Sequence, residues 1–357
     1  MSNIFRHVII ISISASSLFS CTRSGPEQYA NYESFPHKTA LQGQVINLDT
    51  ALFRYPMRVA VKEGIAIILD TYNADYYYHV FQYPQWTHLI SFGKRGEAPD
   101  EMLLASTLKF NSFDSIWALD PNKMQIVRWS LSPGNRTISR EEVVQLHKDL
   151  IRTLDLYVTN EGFIVPDYRG EARFNRVNFQ GEMVESGGSI PTRQEYDDGS
   201  RMALAQAWRS FLDYNPVNGV LAFVTQLGEV IEIYHQKDDK HVVVYGPAGE
   251  PEFKKSSDGK GIPTGIMGFL DLQVTDRYIY TIFQGLSFKE MGAALKRGEE
   301  PEEGGRHIYV FDLEGNPVRE YTLDHSISGF YVDEPAGKII GLDVNSDDPV
   351  VEYTLGE

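Results

Sequence analysis

The stretch "DSIWALDPNKMQIVRW", residues 114–129, opens on a turn residue and runs through the apolar "SIWAL" to Asp120. It turns at Pro121-Asn122 and resumes as "KMQIVRW". A short apolar run bounded by turn residues reads as a buried strand, and two joined by a short turn read as a hairpin. The same figure returns along the chain. Its first strand recurs as "GIAIILD" (64–70), "EGFIVPD" (161–167), "NGVLAFV" (218–224), "DRYIYTI" (276–282) and "GKIIGLD" (337–343), at intervals of roughly 50 to 60 residues. Its second strand recurs as "YYYHVFQY" from Tyr76, "RFNRVNF" from Arg173, "VIEIYHQ" from Val230, "HIYVFDL" from His307 and "VVEYTL" from Val350.

Working outward, an apolar stretch precedes each first strand: "RVAV", "TLKF", "TLDLYV", "RSFLDY", "GFLDLQV" and "SGFYVD". A further strand follows several second ones, as in "THLISFG", "HVVVYG" and "PVREYTL". Four strands per unit at this period is the signature of propeller blades. The expected fold is therefore all-β, a six-bladed β-propeller with four-stranded blades. The sixth unit lacks its outer strand before the chain reaches Glu357, so "GQVINL" (43–48) is expected to complete it and close the ring. Asp70, Asp120, Asp167 and Asp343 fall where strand gives way to turn, where a carboxylate accepts backbone N–H groups two residues on. "LEGNP" (313–317) and "FQGE" (179–182) place Gly where a hairpin needs positive φ.

The first 20 residues carry Arg6, an apolar run from Val8 and small residues before Ser20, the pattern of a secretory signal peptide too short to span a membrane. Cys21 is the only cysteine of 357 residues, which excludes a disulfide framework and a CxxC site. The leader and cysteine together resemble the lipobox of bacterial lipoproteins, whose thiol carries diacylglycerol. The expected organisation is a signal peptide over 1–20, a lipidated tether over 21–37 and one propeller over 38–357. Removing the leader with Arg6 moves the formal charge from −16 to −17. That balance argues against nucleic acid and anionic head groups, leaving the lipid as the only membrane contact.

"SFGKRGEAPDEM" (91–102) is similar to the link between the first two blades of a TolB-like six-bladed propeller family of bacterial lipoproteins. "HIYVFDLEGNPVREYTL" (307–323) resembles that family's best-marked hairpin. The resemblance covers most of the mature chain and implies the fold; it supplies no catalytic residue. In lipoproteins of this group an acidic cluster after the cysteine marks surface export. Here "TRSGPE" follows Cys21, so a periplasm-facing anchor in the cell envelope is expected.

Polar residues on innermost strands line a propeller's channel, and Arg58, Lys109, Asp155, Asp213 and Asp271 occupy comparable points in the first five units. They are the ligand-binding candidates. Two cations beside three carboxylates fit a zwitterionic or polar small molecule, or calcium on the three aspartates; they equally fit mutual pairing. "DVNSDD" (343–348) begins like a calcium loop but carries Asp348 where Gly is required and Thr354 where Glu is required. His79, His88, His235 and His241 stand isolated in strands, and no HExxH, GxSxG or phosphate-binding Gly loop occurs. The expected role is a module binding a small polar ligand or an envelope protein, without a cofactor. The alternative is a metal-dependent hydrolase or lyase working at the channel mouth. Insertions at 193–211 and 286–305 break the rhythm with short helical patterns, the second placing Phe288, Met291 and Leu295 on one face. Such helices cover loops or dock a partner.

Overall fold

In a computed structural model, residues 27–48, 53–150, 153–196, 198–257 and 259–356 are described. The leader and Cys21 lie outside them. Six antiparallel sheets form six blades. Their innermost strands are Pro56–Lys62, Thr107–Ser112, Tyr157–Thr159, Ser210–Asn215, Phe269–Val274 and Gly329–Asp333, each in contact with the next, and the sixth returns to the first.

Both faces of a blade are covered by neighbours, so the second strands are buried on both faces and predominantly apolar instead of alternating; Ile65–Asp70 and Val220–Thr225 are buried throughout. One apolar cluster fills each of the six gaps between blades. Ile67, Val80 and Ile116 lie between blades 1 and 2, and Ala66, Ile340 and Leu342 close the gap between blades 6 and 1. Hydrophobic burial is thus distributed evenly around the ring.

The N-terminal segment laces this ring. Gln44–Ile46 is antiparallel to Val350–Thr354 in blade 6, with Val350 opposite Ile46 and Glu352 opposite Gln44, so the closure expected of 43–48 is present. Of the residues 21–37 expected to form a tether, those from Glu27 on pack against the blades. Glu27–Asn31 adds to the outer edge of blade 4, parallel to Lys240–Tyr245, and His37–Leu41 adds to blade 5, parallel to Pro317–Ile327. Tyr32 and Phe35 between them are buried against Phe311.

Both insertions carry helices. Arg201–Ala207 packs on a hairpin of Phe253–Lys255 and Gly261–Pro263 that no sequence signal marked. Phe288–Lys296 is opened by a capping box, Ser287 Oγ accepting from Glu290 N while the Glu290 carboxylate accepts from Ser287 N. None of its residues is buried, and Leu295 stays 62% exposed.

Candidate functional site

The five charged residues expected in the channel do meet there. Arg58 reaches from blade 1 to blade 5, its Nη1 3.3 Å from Asp271 Oδ2, and lays its Cζ 4.5 Å from the ring centroid of Phe211 in the opposite blade. Lys109 of blade 2 sets its Nζ 3.2 Å from Asp213 Oδ1 of blade 4 and 5.3 Å from the ring centroid of Tyr157. Both cations therefore cross the channel, each pairing with a carboxylate and facing an aromatic ring.

The aspartates also stitch neighbouring inner strands. Asp155 accepts from Leu156 N at 2.9 Å and from Leu212 N of blade 4 at 3.0 Å. Asp213 accepts from Val274 N of blade 5 at 2.9 Å. Asp271 accepts from Leu272 N at 3.0 Å and from Phe330 N of blade 6 at 3.3 Å. Gln273 extends the series with an amide, accepting from Val332 N at 2.8 Å and donating to Val332 O at 3.0 Å. Sequence reasoning missed Gln273, Phe211 and Tyr157 because it searched for charge; their signal is position on the inner strand alone.

Each of the six carboxylate oxygens thus already accepts a backbone N–H or faces a cation. Among the described residues no group of three His, Cys, Asp or Glu is placed to hold a metal ion. The calcium arrangement imagined for Asp155, Asp213 and Asp271 is not formed: stitching different blade pairs points these groups along the ring instead of at one centre. "DVNSDD" is a turn in which Asp343 accepts from Asn345 N at 2.9 Å and meets His325 Nδ1 at 3.0 Å. The histidines are scattered too. His79 and His88 share Ser91 Oγ, and His241 stacks on Tyr234.

Three carboxylates against two cations leave the cluster one negative charge in excess. Burial pushes the Asp271 carboxyl up to about 6 against the pull of Arg58. Burial likewise raises Asp213 despite Lys109. Burial alone would lower Lys109, but attraction to Asp213, Asp155 and Asp271 outweighs it, and its pKa is raised. The ammonium stays charged, and the surplus proton affinity resides on the carboxylates.

Above this cluster one mouth of the channel widens into a cavity of about 1040 Å³ extending between blades 3 and 4. Asp213, Tyr157 and Gln273 form its channel side, while Tyr214, Asn160 and Lys62 line its walls. The paired cluster is thus continuous with solvent-filled space large enough for a small molecule.

The family model described as TolB-like 6-blade propeller-like matches residues 34–335, and the chain belongs to this family. No curated protein matches it. Among solved structures, a protein of Bacteroides fragilis NCTC 9343 described as exported is 11% identical, covering 93% of this chain and 99% of its own, with a TM-score of 0.56. A member of the DUF4221 family from Bacteroides vulgatus ATCC 8482 is 10% identical, covering 88% of this chain and 98% of its own, with a TM-score of 0.58. At these identities the likeness is one of fold.

Proposed function

We propose that this member of the TolB-like propeller family is an exported, lipid-anchored envelope protein, facing the periplasm, whose propeller binds a polar small molecule at the wide mouth of its channel. Export and anchoring rest on the leader and the lone Cys21, and the B. fragilis neighbour is described as exported. No helix among the described residues is long and apolar enough to cross a membrane. In this reading a lipid on Cys21 supplies the attachment.

The observation that carries the binding role is the cavity of about 1040 Å³ lined by Asp213, beside a buried surplus of one carboxylate. Such a floor favours a ligand bearing a cationic group, with the tyrosines and amides of the wall fixing the rest. The alternative of a hydrolase or lyase gains no support from this geometry, since the carboxylates hold backbone and cations in place.

Calorimetric titration of the purified chain with lysine, glycine betaine and calcium chloride tests the reading. Saturable binding of lysine or glycine betaine, weakened tenfold or more by Asp213→Asn, is expected, and binding of calcium alone counts against the reading. Binding by none of them, or binding indifferent to Asp213→Asn, removes the channel mouth as the site. For the anchor, mass spectrometry is expected to find the mature chain beginning at a diacylated Cys21, and Cys21→Ala to release it from membranes. An unmodified Cys21 in a membrane-free mature chain overturns that part.

A further inference from the structure

At the opposite mouth of the channel lies a second cavity, of about 450 Å³. Leu154, Leu227 and Phe253 give it apolar walls, and Arg209, Gln206 and Asn122 also line it. Arg209 and Gln206 come from the connection between blades 3 and 4, Phe253 from that between blades 4 and 5. These are the two segments that depart furthest from the blade repeat, and closing the ring does not require them.

They are nonetheless packed together in detail. Glu250 accepts from Thr192 Oγ1 at 2.6 Å and from Arg193 N at 2.7 Å, and Tyr245 donates to Pro191 O at 2.5 Å. The Tyr196 and Phe253 rings stack with centroids 5.3 Å apart. A Cβ on Gly261 would lie 2.8 Å from Ala203 O, so the hairpin touches the helix through a residue without a side chain. The cavity wall is therefore preformed.

Arg209 is exposed and lines this space, and among the described residues it forms no ion pair with a carboxylate. In a chain of 49 acidic and 33 basic side chains, an unpaired guanidinium beside an apolar hollow is a cation that the fold itself does not use. A guanidinium grips a carboxylate with two parallel hydrogen bonds, and the hollow removes apolar surface from water.

We infer that this second cavity binds an amphipathic organic anion, its carboxylate on Arg209 and its apolar body against Leu154, Leu227 and Phe253. The site is independent of the wide mouth and has the opposite charge preference. Long-range repulsion by a chain of formal charge −16 works against an anion, so selectivity for one has to come from a local group.

The test uses indole-3-acetate and tryptamine, which share a ring and differ in the sign of charge, titrated calorimetrically into the purified chain. Saturable binding of indole-3-acetate, at least tenfold tighter than tryptamine, is expected. Arg209→Gln should abolish that preference, and Phe253→Ala should weaken indole-3-acetate fivefold or more. Lys62→Gln, at the other mouth, should change neither. Arg209 is exposed, so its replacement leaves the core packing intact, and a melting curve of each variant verifies folding. Absence of saturable binding, a preference for tryptamine, or sensitivity to Lys62→Gln in place of Arg209→Gln overturns the inference.

Discussion

Asp70 accepts Arg54 N at 2.6 Å, Tyr55 N at 2.8 Å and Tyr72 N at 3.2 Å, so one buried carboxylate ties the end of a strand to its own turn and to the segment entering the blade. Asp120 does the same with Asn122 N and Leu103 N. Removing such a group leaves buried donors without a partner, each costing about 1–3 kcal/mol. Asp70→Ala is therefore expected to destabilise the chain by on the order of 3 kcal/mol in urea unfolding, and a loss below about 1 kcal/mol would contradict the corner role. These aspartates were legible because a carboxylate at a strand end has a local partner two residues on. The channel residues were legible only as positions, since what Arg58 and Lys109 touch lies one to three blades away. Asp271 offers a second test. Its folded pKa, about 6, stands above the ordinary carboxyl value, so the folded chain holds this proton more tightly than the unfolded chain. That contribution is complete below the unfolded pKa and lost as pH rises through about 6. Between pH 5 and 7 it amounts to roughly 1 kcal/mol. In Asp271→Asn, the change in stability between pH 5 and 7 should differ from the parent's by about that amount, the parent losing more on going to pH 7. Melting curves at the two pH values measure it, and identical pH responses would refute it.

Among the elements, the short strand Gln44–Ile46 carries a role out of proportion to its length. It covers the edge of blade 6 and joins the chain's two ends, while Leu48 just beyond it fills the gap between blades 6 and 1. A Cβ on Gly43 would come within 2.3 Å of Val351 Cγ1 and 2.9 Å of Tyr353 Cε1, so the entry to this strand admits no side chain without displacing its partners. Gly43→Val is expected to cost about 1–3 kcal/mol, as overpacking does. Deleting 38–49 should lower the unfolding midpoint far more and expose an unpaired edge that aggregates. Deleting only through Asn31, which removes an added outer strand without opening the ring, should have a smaller effect. Equal midpoints for the two truncations would refute the closure role. The closing strand was legible because an incomplete sixth unit demanded one and "QVI" alternates. The added strands "EQYAN" and "HKTAL" were not: each lies outside a blade that already has four strands, is largely exposed, and shows no apolar period. The same holds for the hairpin of "FKK" and "GIP", whose three-residue strands are too short for any period to register.

At the scale of the whole molecule, the parallel register of the first strand sets the direction from which the chain arrives. Glu27 stands opposite His241, beside the turn at 236–239 that borders the wide mouth, while Asn31 stands opposite Tyr245 toward the other face. The N-terminus therefore leaves the propeller on the side of the wide mouth. Glu27 follows Cys21 by six residue steps, and an extended chain covers at most about 3.4 Å per step, so a lipid on Cys21 would hold that side within about 20 Å of the membrane surface. The wide cavity would face the head groups, and the cavity around Arg209 would open away from them. Two single cysteines at opposite ends of the same strand measure this, because the native thiol would be consumed by the proposed lipid. Asp238→Cys lies in the turn before Lys240–Tyr245, and Ala248→Cys lies just beyond its far end, both exposed. With the lipidated protein in vesicles carrying a head-group quencher, a fluorophore at 238 should be quenched severalfold more strongly than one at 248. Equal quenching, or stronger quenching at 248, would mean that the anchor leaves the propeller free to tumble or presents its other face. A soluble control beginning after Cys21 should show neither label quenched, which separates a failure of orientation from a failure of anchoring.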